Sequence, residues 1–112
     1  MQLEVKKCLF DILEAARDIE SYTSRLDYSA YVGNGMLQAA VERKFEIIGE
    51  ALNRIKKSDS SVTAKISEYE RIISFRNVIS HGYDAVDSDI VWNAIQHHLP
   101  VLRQEVQALL NA

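Results

Sequence analysis

The chain has little of what stiffens or interrupts a protein: one cysteine, one proline and four glycines in 112 residues. A lone Cys8 cannot close an internal disulfide, which excludes a disulfide-stapled secreted scaffold and fits a reducing, cytoplasmic setting. No long apolar run is present either. The longest uncharged stretch, Tyr28 to Val41, is interrupted by Gly33, Asn34 and Gly35, so it does not read as a membrane span. The first twenty residues, MQLEVKKCLFDILEAARDIE, carry acids throughout their apolar pattern, unlike a secretion signal. Positive charge is not in excess: 13 basic against 16 acidic side chains leave a net charge of −3. That argues against broad coating of nucleic acid and leaves room only for a local basic cleft.

What is present is helical periodicity. With 47% apolar and 26% charged residues the composition is that of an ordinary globular domain, and the length suits a single one over 1–112. Val5, Leu9, Ile12, Leu13, Ala16 and Ile19 recur at three- and four-residue steps and predict a first helix from Val5 to Leu26. The stretch DYSAYVGNG reads as a connection. Leu37, Val41, Phe45, Ile48, Leu52 and Ile55 predict a second helix, ended by the polar run KKSDSS. A third is expected from a cap at Ser60 or Ser61 to about Ser80, where Gly82 supplies a residue able to turn left-handed. A fourth, from Asp87 or Ser88, holds Ile90, Val91, Ala94, Ile95, Leu99, Leu102, Val106 and Leu109, with a kink expected at Pro100. Such a chain is expected to be all-α, an antiparallel bundle of four to five helices.

One polar cluster breaks the pattern. In RNVISHGYDA, residues 76–85, Arg76 falls within the apolar arc of the third helix defined by Ile72, Ile73, Phe75 and Ile79. A charge there pairs with a neighbouring carboxylate such as Glu46 or Glu50, lets its head reach water, or faces a cleft or second subunit to meet an anion. His81, five residues on, lies about 140° away on a continuing helix, and a turn at Gly82 would bring the two heads together. A histidine moves protons near neutrality and an arginine is a permanent anion clamp, a combination suited to a phosphodiester. The alternative is that His81 caps the helix end.

RNVISHGY resembles the Arg, four residues, His, any residue, Tyr signature of the HepT-like branch of the HEPN superfamily, small helical proteins that include toxin ribonucleases. ERKFEIIGEALNRI, residues 42–55, and DIVWNAIQHHLPVL, residues 89–102, are similar to that branch's second and last helices. The resemblance implies a HEPN-like bundle that forms a homodimer and acts as a metal-independent endoribonuclease without cofactor. It implies Arg76 and His81 as the catalytic pair, Asn77 as their support, and RNA as substrate. It further implies a nucleotidyltransferase-fold antitoxin of the minimal type, which in some family pairs adenylylates the tyrosine that matches Tyr83; the alternative is that Tyr83 packs its ring on the bundle and hydrogen-bonds through its hydroxyl. Lys44 departs from the expected pattern by projecting into the apolar arc of the second helix. It would add a phosphate contact if it lined the cleft, and snorkels otherwise.

Other residues have simpler readings. His97 and His98 point about 100° apart and read as surface or interface residues. His81, Asp84, Asp87 and Asp89 are possible metal ligands but lack the alternating oxygen ligands of a calcium loop, and a helix start explains Asp87 and Asp89 more simply. Cys8 reads as a small buried hydrophobe, and Trp92 as a packing residue at a bundle or dimer seam. The competing function is a non-catalytic subunit that binds a nucleotide or a nucleotidyltransferase, a reading that the acidic net charge favours.

Overall fold

The computed structural model describes residues 1–81 and 87–112; the side chains of Arg76, Ser80 and His81 lie outside that description. The described residues form helices α1 (Leu3–Thr23), α2 (Tyr28–Val32), α3 (Gly35–Ser58), α4 (Ser60–Thr63), α5 (Tyr69–His81), α6 (Ser88–Asn93) and α7 (Leu99–Asn111), with a π-helical segment (Ala94–His98) joining the last two. No strand occurs among the described residues, and no described helix is long and apolar enough to cross a membrane.

Long helices form where the periodicity is strongest. α1 buries Val5, Leu9, Ile12, Leu13, Ala16 and Ile19, and α3 buries Val41, Phe45, Ile48, Leu52 and Ile55, the same positions that the three- and four-residue spacing marks. Burying each such side chain contributes about 1.5–3 kcal/mol, more than helix propensity supplies over a comparable length. Cys8 is buried among them, and burial pushes its thiol up from the usual cysteine range. Cross-links fix the directions. Asp18 meets Lys44 at 2.9 Å, and on the other side Arg17 donates to Gln107 at 2.9 Å while Arg103 meets Glu20 at 2.7 Å. As α1 is read forward, its α7 partners run backward, so the two are antiparallel. α5 packs on α3 in the same sense: Phe75 meets Phe45 edge to face, with centroids 5.0 Å apart, and Tyr69 lies under the Lys56 ammonium at 5.9 Å.

Four boundaries differ from expectation, each for a local reason. α1 ends at Thr23 and not Leu26, because Arg25 adopts a left-handed φ of 66°. That conformation costs a non-glycine residue about 1–2 kcal/mol and cannot continue a right-handed helix. DYSAYVGNG contains a helix after all: Asp27 Oδ1 accepts from Ala30 N–H at 2.8 Å and starts α2, which sends Tyr31 fully into the core. The expected helix from Ser60 to Ser80 is two. Asp59, rather than either serine, caps α4 by accepting from Ser61 N–H at 3.1 Å. After Thr63 the backbone tightens, with Lys65 donating to Val62 and Ile66 to Thr63, while Thr63 Oγ1 donates to the Ser60 carbonyl at 3.0 Å. Hydroxyl side chains that bond the backbone compete with the helix ladder in this way. The expected disturbance at Pro100 takes the form of the π-helical turn directly before it: Pro100 donates no hydrogen bond and its ring crowds the carbonyl one turn back, so the ladder widens there.

Candidate active site on the fifth helix

α5 is held to α3 by a narrow apolar stripe. Ile72 and Phe75 are buried, Ile73 and Ile79 half-buried, and Asn77 and Val78 exposed. The arc expected from the sequence is therefore present, with Arg76 within it by backbone position. The expected pairing of Arg76 with Glu46 or Glu50 lies outside the described side chains. The helix remains regular through His81, so the backbone positions of Arg76 and His81 stay about 140° apart around a single axis. The turn expected at Gly82, and the positions of Tyr83 and Asp84, lie outside the described residues.

Because α5 is antiparallel to α3, its His81 end lies at the end of the bundle where α3 begins. Tyr31, Trp92 and Tyr28 stack near that end: Trp92 lies 5.5 Å from Tyr31 and 6.4 Å from Tyr28 by ring centroids. Trp92 is thus a packing residue, as expected. A side-chain hydrogen bond to Asp89 raises the Tyr28 phenol above its ordinary range. Burial raises that of Tyr31, whose hydroxyl has no hydrogen-bond partner among the described residues. Glu42 is raised first by desolvation and then by the neighbouring Glu46. Asp87 starts α6 by accepting from Asp89 N–H at 2.9 Å, the helix-start role read from the sequence. Among the described residues no three His, Cys, Asp or Glu side chains are grouped to hold a metal.

Lys44 sits elsewhere, in a groove between α1 and α3 lined by Asp11, Glu14 and Asp18. Its hydrogen bond to Asp18 raises its pKa, and the surrounding carboxylates make the groove attractive to cations rather than to phosphate. His98, read with His97 as a surface or interface residue, differs from exposed His97: it is half-buried and lies beside Glu68, Arg71 and Asn93. Nothing in the α-helical spacing marks it, since the π turn sets its direction.

The profile of the family described as "Ribonuclease HepT-like" matches residues 12–109, from the middle of α1 to the last turn of α7. The chain belongs to this HepT-like family. It is 33% identical to "Putative RNase MJ1380" of Methanocaldococcus jannaschii over 93% of this chain and 94% of that one. It is 29% identical to "Putative RNase MJ1216" of the same organism, over 96% of this chain and 88% of that one. To "Probable ribonuclease HepT" of Thermococcus cleftensis it is 28% identical, over 97% and 98%. No solved structure matches. The helical architecture fits a HepT-like, HEPN-type bundle, and the matched region includes all of α5.

Proposed function

We propose that this HepT-like protein is the toxin of a toxin–antitoxin pair, a metal-independent endoribonuclease acting in the cytoplasm as a homodimer. The observation that carries the reading is the Arg76–His81 motif at the far end of α5, within a chain of a ribonuclease family. Two positions about 140° apart on one helix are poorly arranged to grip one phosphate from a single chain. Across a two-fold axis, each Arg76 can meet the site that the other protomer's His81 serves. The half-buried Ile73 and Ile79 supply apolar surface for such a seam.

In this mechanism one His81 takes the proton of a ribose 2′-hydroxyl, whose oxygen attacks the adjacent phosphorus. The second protomer's His81 gives a proton to the departing 5′-oxygen, leaving a cyclic phosphate on one fragment and a hydroxyl on the other. Arg76 stabilises the charge that grows on the phosphoryl oxygens, and Asn77 supports the pair. Lys44, in its carboxylate-lined groove, takes no part.

The partner is a nucleotidyltransferase-fold antitoxin. It transfers adenylate from ATP to the Tyr83 phenol oxygen with release of pyrophosphate. The tethered phosphate then occupies the anion site of Arg76 and blocks RNA. Purified protein should cut RNA in the presence of a chelator, and light scattering should give a dimer mass. Co-expression with the antitoxin should add adenylate that Tyr83→Phe removes. A strict need for divalent metal, or a monomer, would sink the composite site. The net charge of −3 favours a second reading, a non-catalytic subunit that binds a nucleotide or the nucleotidyltransferase. Expression of the chain alone separates them, since arrest of growth requires the enzyme.

A further inference from the structure

A second convergence of polar groups lies where the turn before α5 meets the π-helical segment. Glu68 Oε2 accepts from Arg71 Nε at 2.9 Å and stands 3.5 Å from His98 Nδ1. At the other edge of the imidazole, Arg71 Nη1 lies 3.4 Å and Asn93 Nδ2 3.5 Å from Nε2. Three nitrogen-bearing side chains, from α5, α6 and the π segment, thus gather around one point. Both approaches to Nε2 are long for hydrogen bonds, and two donors compete for a single lone pair there. The grouping is poor as a closed network. It suits donors that surround the oxygens of an anion.

The π turn creates it. On an α-helix, residues five apart diverge by about 140°, whereas a π turn closes on i and i+5, and Asn93 and His98 are five apart. Pro100, by widening the ladder, therefore brings the Asn93 amide to the His98 ring. Glu68 stands behind, as a carboxylate does when it orients a functional histidine through Nδ1. The front is open: the Arg71 side chain is 64% exposed and that of His98 17%.

We propose that Arg71, His98 and Asn93 form a binding site for a phosphate group, occupied in function by a backbone phosphate of RNA lying along α5. On binding, the His98 ring takes a proton from solvent and donates from Nε2 to one phosphate oxygen. Arg71 Nη and Asn93 Nδ2 donate to the others, while Glu68 Oε2 remains the acceptor facing His98 Nδ1 and Arg71 Nε. Arg71 and His81 are ten residues apart, about 15 Å along the helix axis and about 80° around it, so their backbone positions share one side of α5. Ser74 and Val78, between them, are exposed. A strand crossing that side puts one phosphate at the helix end and a more distant one at Arg71. The RNA occupant rests on the ribonuclease reading; the phosphate site itself does not.

The test follows the His98 ring resonances by NMR during titration with inorganic phosphate. Separately, a short single-stranded RNA is titrated by fluorescence anisotropy into the His81→Ala protein across a range of salt. Phosphate should shift the His98 signals, and Arg71→Gln should weaken that response severalfold. Arg71→Gln and His98→Gln should each weaken RNA binding severalfold, and the Arg71 change should lower the salt slope by about one. Arg103→Gln, which removes a cation paired with Glu20, should alter neither. Circular dichroism checks each variant's fold, and Asn93→Ala replaces Arg71→Gln if the latter unfolds. His98 signals indifferent to both phosphate and RNA overturn the proposal. A response to phosphate alone upholds the site and counts against RNA, and so against the ribonuclease reading.

Discussion

α1 and α3 on one side, and α5 on the other, are helices of the same chain that spend their apolar residues differently. α1 and α3 bury continuous stripes from end to end, tied to each other and to α7 by Asp18–Lys44, Glu20–Arg103 and Arg17–Gln107. α5 commits Ile72 and Phe75 to the core, leaves Ile73 and Ile79 half-covered, and exposes Val78. The lesson is a division of labour: a frame whose side chains are used up by folding supports a helix with side chains to spare, and low coverage is characteristic of elements that bind or move.

The largest effect should come from changes on α5 that leave the frame alone. His81→Ala and Arg76→Ala are each expected to lower RNA cleavage by about 10²–10⁴-fold with an unchanged helical circular dichroism spectrum. If either unfolded the protein instead, the comparison would collapse, because the motif would then belong to the frame. Leu52→Ala on α3 is the opposite case. Its fully buried side chain leaves a cavity, and denaturant titration should register a loss of about 2–5 kcal/mol.

A smaller change sharpens the role of the uncovered side of α5. Ile73→Asp should raise the dimer dissociation constant more than about tenfold, or about 1.4 kcal/mol, while the monomer keeps its helicity. Unaltered sedimentation behaviour would move the seam elsewhere. The smallest effect is expected in the frame's own surface. Lys44→Met removes a partly exposed ion pair and should shift stability by less than about 1 kcal/mol. Since Asp18 raises the folded-state pKa of Lys44, that contribution is complete below the ordinary lysine range and disappears as pH rises through and above it. Wild type and Lys44→Met stability curves should therefore converge in strong alkali.

Much of the fold is legible in the sequence. Leu9, Ile12 and Ile19, and Phe45, Ile48 and Leu52, announce their helices because burial on one face imposes the period of the helix on the sequence. The motif at Arg76 and His81 was legible as an anomaly, a charge within an apolar arc with a histidine five residues on. Tyr31 was not, because α2 is five residues long and too short to show a period. Its burial depends on an Asp27 cap and on a place between α3 and α6. Lys44 was visible as a charge on an apolar face, but its company of Asp11, Glu14 and Asp18 comes from another helix.

By itself the sequence determined the long helices, their apolar faces, a helix start at Asp87 or Ser88 and a disturbance at Pro100. Each depends on residues within a turn or two of one another, where local sterics and hydrogen bonding are decisive. Tertiary structure decided where α5 begins and what His98 does. The Ser67 amide donates to Glu105 at 3.1 Å, and the Ser67 hydroxyl donates to the same carboxylate. Those contacts, with Glu68 and Arg71 gathered at the π turn, join segments roughly thirty to forty residues apart. No local pattern encodes such meetings, because they exist only once burial of the apolar faces has brought the helices together.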